Sequence, residues 1–305
     1  MKIIDLHCDT LYKMVEKNEH TYLKNNGYIS EDRLLLGDYM AQCFAIYTPA
    51  GLKGSAALEY FNSSLNKFRL QIASAPRTHH AANSDDITLA NSLYMIAALL
   101  TVENAEFLDN DLDRLKLLTQ NKIRILGLVH NKENCLAYPA TKQNKMPLKP
   151  FGLEVIDALD STNIYIDVSH LSEAGFWDVA KISHRPIIAT HSAAKGLFSH
   201  KRNLTDEQIR AIGISGGIIG VPFFSYFLNG SDKVTAADII SHLKYIINLG
   251  GEDIAAIGTD FDGMDSDLFI NDAADMQFFA EALIRKLGFN TAEKICHKNA
   301  LRIFE

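Results

Sequence analysis

The chain has 305 residues, 47% of them hydrophobic, so it is long enough to bury a large core. Its formal net charge of −7 argues against nucleic acid and against an anionic membrane surface as partners. No apolar run is long enough to span a bilayer, and Asp5 interrupts the N-terminal run, which argues against a signal peptide. We expect a cytoplasmic protein with reduced thiols, because the four cysteines are scattered and form no CxxC pair: Cys8, Cys43, Cys135 and Cys296.

Eight apolar runs with the composition of β-strands follow one another along the chain. Several are apolar on both faces, as buried parallel strands are, and helix-type or long connecting segments separate most of them. This repeated order predicts an α/β fold, a (β/α)8 TIM-like barrel. No Gly/Ser-rich or Pro-rich linker divides the chain, so we expect a single domain over residues 1–305. The strands are predicted at roughly 2–9, 40–48, 93–103, 122–130, 163–170, 186–191, 214–222 and 254–260.

Helix boundaries are marked most clearly in the second half of the chain. Thr205-x-x-Gln208 and Thr235-x-x-Asp238 are typical of capping boxes at helix starts. Gly250-Gly251 is predicted to end the helix that begins at 235, and a final helix is predicted over 291–301.

The least regular stretch is 131–150, which is rich in Lys and Asn and contains three prolines. A loop of this length in a compact domain is usually functional or partly disordered. Its position after the fourth strand places it over the mouth of the predicted barrel. His79-His80 lies in a polar stretch without strand character, and we expect it to be solvated.

Metal-type or charged side chains stand at the ends of six of the eight predicted strands. In a barrel these ends converge on one face, where barrel enzymes place their chemistry. Two histidines from separate strands, a His-x-Asp and a further carboxylate are a suitable ligand set for two metal ions. Two cations beside one water would lower its pKa, and a nearby Asp could accept the proton. The strand-end residues are His7, Asp9, Glu103, His130, His170, His191 and Asp260.

An ordered set of motifs then makes a family resemblance specific. The chain resembles the membrane dipeptidase (renal dipeptidase-like, peptidase family M19) family of zinc peptidases, within the metal-dependent amidohydrolase superfamily. The motifs run in family order from end to end, so the resemblance covers nearly the whole chain. They are Asp5-Leu6-His7-Cys8-Asp9-Thr10, Asp167-Val168-Ser169-His170-Leu171-Ser172, Thr190-His191-Ser192-Ala193, Lys201-Arg202-Asn203-Leu204, Gly258-Thr259-Asp260-Phe261-Asp262-Gly263 and Asn299-Ala300-Leu301-Arg302-Ile303-Phe304.

The resemblance implies a binuclear zinc site at the C-terminal ends of the strands. His7 and Asp9 would hold one Zn²⁺, His170 and His191 the other, and Glu103 would bridge the two ions. A histidine and carboxylate site of this kind also accepts cobalt or manganese.

The resemblance also assigns roles around these metals. Asp260 matches the family's acid/base residue, and His130 matches the histidine that contacts the substrate and the tetrahedral intermediate. Arg202 matches the arginine that pairs with the substrate, and its planar fork suits a carboxylate. The implied activity is hydrolysis of small dipeptides by a metal-bridged water, with tolerance of a D-residue at the second position. A homodimer is implied as well.

Two segments depart from the family pattern. Asn104-Ala105-Glu106 stands where the family usually has a Gly-Gly-His-like segment after the bridging glutamate. Tyr138-Pro139 stands where the family has a Thr-Pro-Trp pattern, so the substrate pocket is expected to differ.

Two other functions stay open beside the dipeptidase. The first is another binuclear amidohydrolase acting on lactones, lactams or cyclic amides. Those relatives usually carry His-x-His on the first strand and often a carboxylated lysine, which the His-x-Asp here disfavours. The second is an inactive binding homologue, which should have lost a ligand, whereas all five are present.

Several further residues receive a structural interpretation. Cys8 should pack as a small apolar residue, and Asp262 should serve the turn. The aromatic residues that follow the seventh strand either line a pocket or pack in the core: Phe223, Phe224, Tyr226 and Phe227. The histidines expected to have no role in the site are His184, His200, His242 and His297.

Overall fold

Eight parallel strands close into a barrel in the computed structural model, which describes residues 1–16, 21–142 and 144–305. The sheet order is β2-β1-β10-β8-β7-β6-β5-β4, and β4 pairs back onto β2 to close the ring. The predicted (β/α)8 barrel is thus confirmed. The strands are β1 (Ile3–Cys8), β2 (Tyr39–Tyr47), β3 (Thr78–His80), β4 (Ile96–Glu103), β5 (Ile125–Gly127), β6 (Tyr165–Asp167), β7 (Ile188–Ala189), β8 (Ile218–Val221), β9 (Lys233–Val234), β10 (Ala255–Ile257) and β11 (Asp267–Leu268).

Helices and short helical turns connect these strands. Both predicted capping boxes are present, at Thr205 and Thr235. The α-helices are α1 (Thr10–Glu16), α2 (Glu31–Leu36), α3 (Gly54–Ser74), α4 (Ser84–Ser92), α5 (Lys116–Gln120), α6 (Pro150–Asp160), α7 (Glu173–Ile182), α8 (Asp206–Ile214), α9 (Ser225–Leu228), α10 (Ala236–Gly250), α11 (Met276–Leu287), α12 (Phe289–Glu293) and α13 (Asn299–Ile303). Shorter turns are the 3-10 helices Ala105–Leu108, Leu112–Leu115, Glu252–Ile254 and Ala273–Asp275, and the π-helix Lys294–Lys298.

The strand β3 corrects the prediction that His79-His80 lacks strand character, although His79 is exposed as predicted. Thr78–His80 pairs in parallel with the first half of β4, with His79 opposite Ala97. The next barrel strand, β5, pairs with β4 only near the end of β4, at Val102. The early part of that edge of β4 therefore has free backbone groups, which β3 satisfies.

Several strands are shorter than their apolar runs predict. At their ends, side-chain carboxylates accept the hydrogen bonds of backbone N–H groups that would otherwise pair with a neighbouring strand. Asp167 accepts hydrogen bonds from the backbone N–H groups of Ser169 (2.9 Å) and Thr190 (3.0 Å). Asp5 accepts one from the backbone of Thr259 (2.8 Å). These donors are thereby removed from strand pairing, so the chain leaves the sheet just before the residues that form the site.

The C-terminal segment closes the opposite end of the barrel. Its helix begins at Phe289, two residues before the predicted start, because Gly288 (φ +84°) allows the sharp change of direction after α11. Asn299 donates through Nδ2 to the carbonyls of Glu252 and Ala255, at 2.7 and 2.9 Å. Arg302 donates to the carbonyls of residues 216, 217 and 253. The closing motif therefore holds the final helix against the strand starts.

Two apolar clusters form the core. The smaller one takes residues from all eight barrel strands, for example Leu6, Leu99 and Ile188, and it fills the barrel interior. The larger one lies between the strands and the surrounding helices and includes Cys8, which packs as a small apolar residue as predicted. All four cysteines are free thiols. Across the described ranges, the helices all fall short of the length and apolarity needed to cross a bilayer.

Candidate active site

The predicted strand-end residues meet around Glu103, the last residue of β4. Glu103 Oε1 lies 2.9 Å from His170 Nε2, 3.7 Å from His191 Nε2 and 3.8 Å from His130 Nε2. Glu103 Oε2 lies 3.9 Å from His7 Nε2. These five side chains come from five different strand ends, so the barrel brings together groups that lie far apart in the sequence.

Two groups of side chains share Glu103 and offer ligand atoms within 4.8 Å of one another. One is His7, Asp9 and Glu103, and the other is Glu103, His170 and His191. His7 Nε2 lies 3.6 Å from Asp9 Oδ2, and His170 Nε2 lies 2.9 Å from His191 Nε2. A third group of this kind is His7, His191 and Asp260. The two groups that share Glu103 match the partition that the family resemblance implies.

The histidines of the two clusters differ in protonation. Burial lowers the pKa of His7, but the adjacent carboxylates of Asp9, Glu103 and Asp260 outweigh it and raise the pKa to about 10. Burial lowers the pKa values of His170 and His191 well below 6.5, and neighbouring cationic groups lower them further. The second pair is therefore neutral at pH 7, the form in which imidazole binds metal.

Two carboxylates of the site, Glu103 and Asp260, have raised pKa values. Burial raises the pKa of Glu103, and the charges of Asp9 and Asp260 add to this effect. Burial also raises the pKa of Asp260 to about 7, against the opposing charge of His7. A carboxyl group whose pKa lies near 7 can both accept and release a proton at neutral pH.

The buried atoms of this cluster fit divalent cations. His7 Nε2 and Asp9 Oδ1 are buried, and neither has a hydrogen-bond partner within the described ranges. Buried polar atoms are normally paired, so unpaired polar atoms in a cluster of histidines and carboxylates are typical of a metal site. Imidazole nitrogens and carboxylate oxygens suit zinc, cobalt or manganese.

A hydrogen-bond chain sets the tautomer of His191. Thr190 Oγ1 lies 2.5 Å from Asp167 Oδ2 and 2.9 Å from His191 Nδ1. A carboxylate only accepts, so the single hydroxyl proton of Thr190 goes to Asp167. His191 Nδ1 must then be the donor to Thr190 Oγ1, which leaves Nε2 unprotonated and directed into the cluster.

A second Asp–Thr pair repeats this arrangement on the other side of the barrel. Asp5 accepts hydrogen bonds from Thr259 through both its backbone N–H (2.8 Å) and its hydroxyl (2.7 Å). The residue after Thr259 is Asp260, just as the residue after Thr190 is His191. Asp260 and His191 each follow a threonine, and a buried aspartate on a neighbouring strand holds that threonine in place.

Left-handed backbone occurs at three non-glycine residues beside the site: Asn104 (φ +70°), Asp260 (φ +63°) and Asp262 (φ +69°). Asn and Asp are the non-glycine residues that best tolerate this conformation. Asn104 also donates to the carbonyl of Thr48 at 2.7 Å and accepts from Asn134 at 2.9 Å. The departure from glycine after Glu103 is therefore accommodated by a residue suited to the same turn.

The sequence interpretation assigned Asp262 to the turn alone, but the structure gives this residue further contacts. Its buried carboxylate accepts hydrogen bonds from Thr10 Oγ1 (2.6 Å), Lys13 Nζ (3.1 Å) and the backbone of Tyr28 (3.0 Å). The Tyr28 ring also stacks on Phe261 with a centroid distance of 4.8 Å. Asp262 therefore links α1 and the segment that precedes α2 to the loop that follows β10.

Arg202 is a buried cation beside the cluster, only 4% exposed. Its Nη2 makes a long contact of 3.5 Å to the carbonyl of His191, and its guanidinium lies over the Phe227 ring at 5.2 Å. Nε and Nη1 have no hydrogen-bond partner in the part of the chain that the structure describes. Burial lowers the pKa of Arg202 to about 10, so it remains charged at neutral pH and offers unpaired donors to an anion.

Two cavities meet at Tyr47 and His130, which line both. The first, of about 160 Å³, is the acidic lobe, lined by Asp9, Tyr12, Tyr47, Glu103, His130, Asp262 and Gly263. The second, of about 520 Å³, is the basic lobe, lined by Tyr47, Ala50, His130, Asn131, Lys132, Thr141, Lys142, His200, Arg202, Phe224 and Phe227. The site therefore has opposite charge at its two ends.

The basic lobe contains residues whose place the sequence interpretation left open or missed. The loop 131–150 reaches the barrel mouth, as predicted, and two of its lysines line the lobe. Of the aromatic residues after β8, Phe224 and Phe227 line the lobe, while Phe223 is buried in the core. His200, for which the sequence interpretation expected no role in the site, also lines the lobe; its position two residues before Arg202 was the available signal.

Comparison with protein-family models matches residues 1–305 to the family described as membrane dipeptidase, peptidase family M19. The chain therefore belongs to the membrane dipeptidase family, and its enzyme class is that of the metallo-dipeptidases. This confirms the family and the enzyme class that the ordered motifs predicted.

Individual relatives and one solved structure are similar to this chain. An uncharacterized protein in the pqqA 5′ region of Klebsiella pneumoniae is 31% identical over 244 residues, covering 76% of this chain and 90% of that protein. Dipeptidase tcpJ of Claviceps purpurea is 25% identical over 291 residues, covering 91% and 68%. A metallopeptidase structure from Rhodobacter sphaeroides, liganded with a phosphinate mimic of L-Ala-D-Ala, has the same fold: TM-score 0.93, 23% identity, coverage 100% and 98%.

Proposed function

We propose that this enzyme hydrolyses dipeptides with two divalent ions, zinc in the first instance, held by the two clusters that share Glu103. His7 and Asp9 would hold one ion, and His170 and His191 the other. The observation that carries the proposal is the pair of three-ligand clusters joined by one carboxylate. When bound, such ions lower the pKa of a shared water and polarise the scissile carbonyl.

The buried, unpaired donors of Arg202 support one orientation of the substrate. A dipeptide carries an ammonium group at one end and a carboxylate at the other. The carboxylate suits Arg202, whose Nε and Nη1 are buried and unpaired among the described residues, and the amino end then lies in the smaller lobe. The scissile peptide bond then lies beside His130, which lines both lobes.

Asp260 and His130 supply the remaining chemistry in this proposal. Asp260 accepts the proton of the attacking water on its carboxylate and delivers it to the leaving amine, for which a pKa of about 7 is well suited. Burial lowers the pKa of His130 to about 4, so it is neutral. His130 Nε2 lies 3.8 Å from Glu103 Oε1, so this nitrogen faces the cluster and can donate to the developing oxyanion when it carries the ring proton.

Tolerance of a D-residue at the second position is part of the proposal. The Rhodobacter sphaeroides relative was solved with a mimic of L-Ala-D-Ala, and the fold of the two chains is the same. In the present chain the basic lobe, about 520 Å³ in volume, has room for either configuration of the second residue. The single domain over 1–305, the homodimer and the cytoplasmic location stay predictions.

The test is metal content per purified chain together with turnover of L-Ala-L-Ala and L-Ala-D-Ala on the same sample. We expect about two ions per chain and hydrolysis of both dipeptides. Asp260→Asn should keep the metal content and lower kcat by at least roughly 100-fold, the range of general acid–base catalysis. Metal binding without dipeptide turnover would instead favour another amidohydrolase, and absence of both after zinc addition would favour a binding protein.

A further inference from the structure

The basic lobe has more positive charge than one terminal carboxylate needs. Arg202 lies at its inner end, and Lys132 and Lys142 line its outer part. The lining contains no aspartate or glutamate within the described ranges. Since the whole chain has a net charge of −7, a wall with only cationic charges is a local exception that points to an anionic ligand.

The two lysines are available because the nearby acid is already paired. Glu133, the neighbour of Lys132, forms an ion pair with Lys149 at 3.3 Å, and Lys149 also lies 4.8 Å from the centre of the Tyr138 ring. Lys132 and Lys142 form no ion pair within residues 1–16, 21–142 and 144–305. Within the described residues, no protein carboxylate neutralises these two lysines, so they are available to an anionic ligand in the cavity.

The rest of the wall agrees with a site for an anion that also has an apolar stem. Phe224 and Phe227 supply aromatic surface beside the cations, and Arg202 lies over the Phe227 ring. His200 lies near positive charges. Burial lowers its pKa, and the charges of Arg202 and Lys201 lower it further. The acidic lobe is about a third as large, so the second residue of a dipeptide has much more room than the first.

We infer that the enzyme prefers dipeptides whose second residue carries an acidic side chain, with Lys132 and Lys142 binding that side-chain carboxylate. The inference rests on the proposed function, in which Arg202 takes the terminal carboxylate. The substrate class is then L-Xaa-Asp and L-Xaa-Glu with a small first residue. The loop 131–150, which carries both lysines, acts as a specificity element.

The test compares kcat/KM of the metal-loaded enzyme for Ala-Glu and its neutral isostere Ala-Gln, and for Ala-Asp and Ala-Asn, in both configurations of the second residue. Two exposed ion pairs correspond to a roughly two- to thirty-fold preference for the acidic member. The double variant K132Q/K142Q should bring the Glu/Gln ratio close to one, and K132Q/K142E should lower it further, because it adds a negative charge to the wall. Raising the ionic strength should reduce the wild-type preference.

Lys145→Gln is the matched control, because Lys145 is an exposed lysine of the same loop that does not line the lobe. It should keep the wild-type Glu/Gln ratio. A wild-type ratio of one, or a ratio that the double variant leaves unchanged, would overturn the inference while hydrolysis of Ala-Ala still upheld the proposed function. If the metal-loaded enzyme cleaved none of these dipeptides, the proposed function would fail and this inference with it.

Discussion

Replacing Thr190 with valine tests whether its hydroxyl keeps His191 ready to bind metal. Valine has nearly the same shape, so the change removes the hydroxyl that donates to Asp167 Oδ2 and accepts from His191 Nδ1. Without this acceptor, nothing specifies which nitrogen of His191 carries the proton. The tautomer with a protonated Nε2 cannot bind a metal ion at that atom.

The magnitude follows from the contacts that are lost. The bond to the Asp167 carboxylate is charge-assisted, and losing one costs about 1.5–3 kcal/mol of unfolding free energy. Asp167 keeps its donors from the backbone of Ser169 and Thr190, so the carboxylate does not become wholly unpaired. Loss of a group that orients a metal-binding histidine lowers metal affinity by roughly 10- to 100-fold.

Calorimetric titration of Zn²⁺ into the metal-free protein measures the affinity, and NMR of the imidazole nitrogens reports the tautomer. Thr190→Ser is the control, because it keeps the hydroxyl and removes only one buried methyl group, at about 1 kcal/mol of stability. We expect T190S to bind zinc like the wild type. We expect T190V to bind the ion of the His170 and His191 cluster much more weakly. Equal zinc affinities and equal tautomers in the two variants would refute the reasoning.

Three further substitutions test other parts of the structure. Gly263→Ala would place a Cβ 1.9 Å from Asp9 Oδ2, so zinc titration should show at least roughly tenfold weaker binding; unchanged affinity would mean that Asp9 is not held there. Asp262→Asn should lower the unfolding free energy by about 2–3 kcal/mol, because it weakens charge-assisted bonds, and hydrogen exchange should rise in the segment before α2. Burial lowers the pKa of His80 to about 4 from an ordinary 6.5, so the folded state binds the proton more weakly and stability is lost as pH falls through this range. His80→Gln should flatten that loss in denaturant titrations, and an unchanged pH dependence would contradict the assignment.

The strand order and the approximate position of the site could be predicted because they depend on local patterns. Apolar runs of strand length recur eight times, and the capping boxes at Thr205 and Thr235 involve residues only three positions apart. The barrel rule then brings strand ends to one face without any knowledge of side-chain contacts. For this reason the proximity of His7, Glu103, His170 and their partners could be predicted from the sequence.

Tertiary structure decided the features that depend on partners far apart in the chain. Asp5 and Thr259 are 254 residues apart, yet their hydrogen bonds end the strands and position Asp260. The pairing of β3 with a free edge of β4 likewise depended on how far β5 extends along it.

Residue types and their order along the chain determined the barrel, the family and the set of candidate ligands, because each of these follows from short-range periodicity or motif order. Only the folded structure decided the tautomer of His191, the three contacts of Asp262 and the separation of acidic and basic lobes. The physical reason is that hydrogen-bond direction and local charge depend on distances between side chains, and these distances exist only after the strands have closed into a ring.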